Sequence, residues 1–275
     1  MRRFKVKYMD NTFLMWAGGK KWFIKDQYFR LPHNFNRYID PFLGGGSVYF
    51  YLEPEKAILS DINSELVSTY MAIQQDWKKL DKKLKIHASN HNDDYYYEVR
   101  NQRPREITSI AARMIYLNRT CFNGIYRVNR KGDFNVPRGS KNTVITGLEE
   151  FEARSKLLEK AIIQCCDFEK TIDEAQKGDF LFCDPPYAIK EEQSYVGYSK
   201  ELFSWDDQIR LSEALDRAKN RKVKILMTNV NHPSVRELYE DKKDFKLESV
   251  SRYSSISGST RGRKQYSELI VSANM

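Results

Sequence analysis

An α/β architecture built on a mostly parallel sheet is predicted by two observations, and a third adds an inserted lobe. Short apolar runs ending on an acidic or turn residue recur along the chain. Helical patterns lie between them, and strands alternating with helices imply crossover connections and parallel pairing. The alternation then stops from about residue 76 to about residue 150, a departure too long for a plain loop in a compact domain.

Tyr38-Ile39-Asp40 and Ala57 to Asp61 are the first two expected strands, followed by a helix at about 63–75. Ile162 to Asp167, Phe180 to Asp184 and Val223 to Asn229 supply three more buried strands, with helices at about 168–176 and 205–220. Phe245 to Val250 and Leu269 to Val271 are placed to close the sheet as an antiparallel pair. Inside the insert, residues 105–118 pattern as a helix, and Val128 to Phe134 reads as a β-hairpin turning through Gly132. Residues 1–75 and 151–275 are therefore expected to form one domain, interrupted by an insert at 76–150.

The 275 residues carry a formal charge of +9. The cations concentrate at Arg2 to Lys25, Arg119 to Lys141 and Arg252 to Lys264, a distribution suited to a polyanionic partner. Four cysteines without C-x-x-C spacing argue against both a metal site and a disulfide scaffold, and fit a reduced cytosol. No apolar run reaches the length of a membrane span, so a cytoplasmic chain is expected. His87 and His91 lack the spacing of metal or triad chemistry and read as surface or loop residues.

The most specific local signal is Asp184-Pro185-Pro186-Tyr187, directly after the apolar run Phe180 to Cys183. An exocyclic amine of adenine or cytosine is a poor nucleophile, because its lone pair is delocalised into the ring. The Asp184 carboxylate and the Pro185 carbonyl can accept its N–H bonds and stabilise charge developing on nitrogen. Tyr187 offers a stacking face for a base taken out of its helix. A simple turn is the plain alternative for the tetrapeptide alone.

Asp40-Pro41-Phe42-Leu43-Gly44-Gly45-Gly46-Ser47 lies between a strand and a helix, where glycines let a backbone approach a nucleotide-like ligand closely. Asp61, at the next strand end, has the character of a ribose-hydroxyl acceptor. Together they point to an adenosine-containing cofactor; a tight turn with an N-cap Asp is the alternative. Trp16-Ala17-Gly18-Gly19-Lys20 adds an aromatic face and one cation, and Asp167-Phe168 an amine acceptor and a ring, although Trp16 and Phe168 could equally be core.

In the insert, Asn118 to Arg127 leads toward Phe134-Asn135-Val136-Pro137 and interleaves amides and arginines with apolar side chains. Arginine pairs with guanine edges, and an apolar wedge fills a vacated base stack. A solvated loop over a small core is the alternative. Arg252 to Lys264 could contact phosphates or be a surface loop.

Taken in order, these segments resemble the Dam-type DNA adenine-N6 methyltransferases over nearly the whole length. Six ordered motifs carry the resemblance: Trp16 to Lys20, Pro41 to Gly46, Ser60 to Asn63, Asn118 to Gly124, Phe134 to Pro137 and Asp184 to Tyr187. The resemblance implies a class I, Rossmann-like S-adenosylmethionine-dependent methyltransferase, with a mostly parallel seven-stranded sheet and a mainly helical target-recognition insert. It implies a cofactor set of Trp16, Gly18, Lys20, Asp40, Phe42, Gly44, Gly46, Asp61, Asp167, Phe168 and Asp184. Asp184, Pro185 and Tyr187 would be catalytic, with no metal.

Carried over by position, Phe122 would wedge beside a flipped adenine, with Asn123, Gly124, Ile125 and Arg127 toward bases. Arg119, Asn135, Arg138, Arg252 and Arg261 complete the expected DNA contacts. Double-stranded DNA, with GATC first among sites, is the implied substrate of a monomeric, nucleoid-associated enzyme, and a cognate restriction endonuclease encoded nearby is an expected partner.

Two positions depart from the pattern. Met15 stands where a lysine often contacts the first guanine, and a thioether cannot donate that bond; first-base selectivity is then relaxed or supplied by another residue, such as Lys21. Arg138 replaces a frequent aromatic. The rival readings are N6-adenine or N4-cytosine methylation of RNA or another DNA site, and a catalytically silent DNA-binding module.

Overall fold

The computed structural model describes residues 13–16, 18–20, 24, 31, 32, 34–129, 131–146, 150–190, 203–253 and 265–275. Its strands are β1 (Tyr38–Asp40), β2 (Ala57–Asp61), β3 (Ala161–Cys165), β4 (Phe180–Cys183), β5 (Lys224–Val230), β6 (Lys246–Tyr253) and β7 (Gln265–Ala273). They form one seven-stranded sheet in the order β3-β2-β1-β4-β5-β7-β6. The pairs β2/β3, β1/β4 and β4/β5 are parallel, whereas β7 pairs antiparallel with both β5 and β6. The predicted antiparallel closure is present. The expected burial of every strand is not: β3 is an edge, and Ile162 on it is 62% exposed.

The chain divides into two compact units, Met1–Arg30 with Leu43–Cys165, and Leu31–Phe42 with Cys166–Met275. The first unit holds α1 (Ser47–Leu52), α2 (Ser64–Asn90), α3 (Asp93–Asn101), α4 (Ile107–Thr120) and α5 (Phe151–Leu158) with β2 and β3, and α2 packs on both strands. Asn63 starts α2 by accepting the Leu66 N–H at 3.1 Å. Leu66, Tyr70 and Ile73 are buried on it at helical spacing, and Leu80 and Leu84 resume the stripe after a break.

That break is Asp76, whose backbone leaves helical geometry (φ −153, ψ 63) while its carboxylate accepts the Lys79 N–H at 3.0 Å. The helix expected to stop near 75 therefore re-caps itself and continues. A buried cluster gathers Tyr96, Val99, Tyr116, Leu117, Phe134, Val136 and Val144, and seats the loops after Thr120 on α3 and α4. The predicted hairpin is formed, with Val128 bridged to Phe134, Asn129 bonded to Asp133, and Gly132 at φ +80.

In the second unit, α6 (Phe168–Asp173), α7 (Trp205–Asn220) and α8 (Pro233–Glu240) accompany β1, β4, β5, β6 and β7. Ser204 and Asp207 close a reciprocal capping box that starts α7, and Leu211, Ala214, Leu215 and Ala218 turn inward. No described helix is long and apolar enough to cross a membrane.

Of the two histidines expected as surface or loop residues, His91 follows α2 outside any helix or strand and His87 lies within α2, and both are half-buried. His87 stacks on Tyr116 with ring centroids 4.9 Å apart, and its Nδ1 lies 2.9 Å from the Tyr95 hydroxyl. Burial, aided by the Lys83 charge, lowers its pKa to about 4. His91 is lowered as well, by burial and then by Arg138. A histidine held neutral in the fold is protonated first in the unfolded chain, so its contribution is complete above about pH 6.5 and is lost as pH falls toward 4. Thermal unfolding between pH 7 and pH 4.5 is expected to show a loss of about 2 kcal/mol from His87. His87→Phe, which keeps the stack, should flatten that slope; an unchanged slope would show that His87 is not its source.

Candidate active site

In the second unit, β4 ends at Cys183 and delivers Asp184, half-buried, then Pro185, buried, and Tyr187, half-buried. Thr228 on β5 donates its hydroxyl to Asp184 Oδ1 at 2.8 Å, which fixes the carboxylate's rotamer. Next door, β1 ends at buried Asp40, whose carboxylate accepts from the Tyr38 hydroxyl at 2.8 Å and the Phe42 N–H at 3.2 Å. Cys183 offers no nucleophile: burial, reinforced by Asp40 and Asp184, pushes its thiol well above the ordinary range.

Phe42 stacks on Phe168 with centroids 5.3 Å apart, and Phe203 meets Phe42 and Phe168 at 5.8 and 5.7 Å. The three rings form an apolar wall in which Phe168 and Phe203 are buried and Phe42 is half-buried. Asp167 caps α6 by accepting the Glu169 N–H at 2.9 Å and takes a second bond from Arg210 at 2.8 Å. The Arg210 guanidinium sits 4.9 Å over Phe168 while also holding Glu169 and Asp207, so the wall is braced by charge from one side.

In the first unit, Asp61 ends β2. Its carboxylate accepts the Gly44 N–H at 3.1 Å and the Asn63 N–H at 3.0 Å, which ties the glycine loop to the strand end. Burial raises the Asp61 carboxyl above its usual range, and the Asn63, Gly44 and Ile62 N–H groups pull it back. Tyr70 supports the loop from below with a 2.8 Å bond to the Gly44 carbonyl. Gly46, at φ +64, has no room for a side chain, since a Cβ there would lie 2.7 Å from the Tyr70 hydroxyl.

Trp16 is half-buried beside Tyr126, at 5.5 Å between centroids, and Gly18 is exposed at φ +79. The Lys20 ammonium is buried and donates to the Gly18 carbonyl at 2.9 Å, closing its own turn.

Residues 118–138 are also in the first unit, and the structure separates them by burial. Phe122 is 54% and Ile125 46% exposed, and Asn123 (φ 54) lies between them on the surface. Arg127 is exposed and bonded to Asn135 at 2.8 Å. Arg138 is half-buried, with Asp93 at 2.9 Å and Asn142 at 2.5 Å.

Two residues expected to meet DNA are placed otherwise. Arg119 is buried and spends its guanidinium on the Val144 carbonyl at 2.7 Å and the Phe13 carbonyl at 3.0 Å, so it holds loops together. Gly124 is buried at φ +66 beneath Met15, which leaves no space for a Cβ, and its carbonyl accepts from Asn118. Arg252 lies in β6 with its side chain outside the described atoms, and Lys21 and Arg261 lie outside the described residues.

Phe203, Arg210, Thr228 and Tyr70 escaped sequence reasoning. Each is an ordinary residue type in a helix, strand or turn, and no motif spacing marks it.

A profile described as D12 class N6 adenine-specific DNA methyltransferase matches residues 16–256. The chain is 35% identical over 277 residues to the Type II methyltransferase M1.LlaDCHI of Lactococcus lactis subsp. cremoris, covering 97% of this chain and 96% of that protein. It is also 35% identical over 277 residues to the DNA adenine methylase of Haemophilus influenzae, covering 97% and 95% respectively. The DNA N-6-adenine-methyltransferase of Escherichia phage P1 is 34% identical over 260 residues, which cover 92% of this chain and 34% of that longer protein. Parallel strands ending in a glycine loop and in Asp-Pro-Pro-Tyr, together with these matches along nearly the full length, assign the chain to the D12 class N6 adenine-specific DNA methyltransferases.

Proposed function

We propose that this enzyme extrudes adenine from duplex DNA, GATC being the favoured site, and transfers to its N6 the methyl of S-adenosylmethionine. The observation that carries this reading is the 2.8 Å bond from Thr228 to Asp184 at the end of β4. It aims an acceptor beside a carbonyl whose position two successive prolines restrict.

The residues suit such a cofactor. Asp61, anchored by two backbone donors, has the chemistry of a ribose-hydroxyl acceptor, and the Phe42, Phe168 and Phe203 rings that of an adenine wall. Gly44 permits close backbone approach while Gly46 lets the loop pack on Tyr70, Trp16, Gly18, Lys20 and Asp40 complete the set, and Asp167 adds acceptor chemistry at the base. S-adenosylmethionine, when bound, supplies an electrophilic methyl on a sulfonium sulfur.

The chain's own part is to prepare the amine. Asp184 and the Pro185 carbonyl accept hydrogen bonds from the two N6 hydrogens, which localises the nitrogen lone pair and disperses the positive charge that grows on it; one N6 proton is released once the methyl has moved, and the other stays on nitrogen. A carboxylate offers about four acceptor sites, enough to serve the Thr228 hydroxyl and an amine hydrogen together. Tyr187 stacks on the extruded ring and keeps water from it. No metal is invoked.

We assign target recognition to residues 76–150, with Phe122 as the wedge and Asn123, Ile125, Arg127 and Asn135 on the DNA side. A monomer acting in the cytoplasm, alone or beside a cognate endonuclease, fits this reading. The test is digestion of plasmid DNA treated with the protein and cofactor. Protection of GATC from an enzyme blocked by N6-methyladenine is the expected result, whereas methylation elsewhere with GATC left cleavable would overturn the site.

Thr228 is a positioning residue. Thr228→Val is expected to lower kcat about 5- to 10-fold with the KM for DNA little changed, because the lost bond matters most when charge develops. Thr228→Ser should restore the rate. A rise in KM alone would instead assign Thr228 to ground-state binding.

A further inference from the structure

At and beside the insert's tip, four cations have oxygen partners. Arg119 is bonded to backbone carbonyls, Arg127 to Asn135 and Arg138 to Asp93, and Lys20 donates to Gly18. Lys141 differs. It is exposed, and its ammonium lies 3.3 Å from the Met15 thioether sulfur, a weak acceptor that leaves the charge uncompensated. No acidic side chain pairs with it among the described residues.

Its position is set by backbone zippering. The Phe122 N–H donates to the Pro137 carbonyl at 2.9 Å, Gly139 N–H donates to Thr120 at 2.8 Å, and Cys121 bridges Arg138. Gly139 sits so close that a Cβ would meet the Cys121 carbonyl at 2.5 Å. Met15 is held equally firmly, since Asn118 accepts its N–H at 2.7 Å, donates to its carbonyl at 2.8 Å and also donates to Gly124 at 3.0 Å. Lys141 is thus a cation held at residue 15 by a segment, 137–139, that is bonded to residues 120–122, which lead into exposed Phe122, Asn123 and Ile125.

We propose that Lys141 reads a guanine of the recognition site, donating to its O6 and N7 edge. This supplies from residue 141 the donor that Met15 lacks, and it rests on the reading of residues 122–127 as the DNA-facing surface. A base edge is favoured over a phosphate because the ammonium lies against the Met15 thioether, which itself packs over Gly124 in the segment that carries exposed Phe122 and Ile125. Lysine or arginine on O6 and N7 is the commonest way a side chain selects guanine in the major groove.

The experiment measures methyl incorporation into a pool of duplexes randomised at each position around the target adenine. For the wild type, one position should select guanine. Lys141→Met should lower that selection about 10-fold or more at this position only, while Lys141→Arg keeps it. The exchange Lys141→Met with Met15→Lys should restore it, because the two side-chain ends share one place.

A loss equal across all sequences, with the salt slope of binding reduced by about one, would make Lys141 a phosphate contact and overturn the proposal. Guanine selection that survives Lys141→Met would overturn it too. A wild-type profile without base preference at any position would instead remove the recognition-surface reading itself.

Discussion

Asp184→Ala is expected to abolish methyl transfer to adenine while DNA binding largely persists. Alanine removes the acceptor that Thr228 holds in place, and leaves the Pro185 carbonyl as the sole fixed partner of an amine that must concentrate its lone pair. Deleting one preorganised group at a centre of developing charge costs about 10²- to 10³-fold in rate, so a fall of about 10³-fold in kcat is anticipated. Asp184→Asn keeps an acceptor oxygen without the charge and should fall between the two. Binding should survive because the variant removes a negative charge from a protein that neutralises phosphates. Filter retention of labelled DNA and single-turnover methylation, measured on the same preparations, separate the two effects; turnover by the alanine variant at the parental rate would reject the catalytic role of Asp184.

Arg119→Ala should act through stability. The side chain is 7% exposed and donates to carbonyls of Val144 and Phe13, far apart in sequence. Hydrogen bonds from a charged donor contribute about 1.5–3 kcal/mol each, and their buried acceptors lose a partner with no access to water. A net loss of about 3 kcal/mol corresponds to roughly 6–12 °C in Tm for a chain of this size. Calorimetry gives the shift, and the DNA salt slope, which counts phosphate contacts, should stay as it was. A flatter salt slope with an unchanged Tm would return Arg119 to the DNA surface.

The strand ends in the parallel part of the sheet were readable because each couples two local signals, an apolar run and an abrupt acidic or turn residue. Phe180 to Asp184 and Ala57 to Asp61 show this directly, and Asp61 proves to be bonded to the glycine loop that the sequence paired it with. The turn glycine at 132 was equally local. By contrast, α2 looked finished at residue 75, because the segment after it is crowded with lysine and shows its apolar stripe only at Leu80 and Leu84.

Arg119 was unreadable for a different reason. An arginine in a run of amides resembles a nucleic-acid contact, and its partners lie 25 and 106 residues away. Arg210 and Thr228 likewise acquire meaning only when α7 and β5 fold beside residues 167 and 184. Spacing along a chain cannot encode such encounters, because the folded neighbourhood creates them.

The placement of β7 between β5 and β6 bears on how the polypeptide can be made. The ribosome must release residues 265–273 before β5 acquires its outer neighbour or β6 acquires any neighbour in the sheet. Until then a nascent chain displays open hydrogen-bonding rims, the kind of surface that recruits chaperones or templates clumping. A stop codon only a dozen or so codons upstream of residue 273 would thus be expected to yield insoluble material, although every residue of the Asp-Pro-Pro-Tyr segment had already been translated.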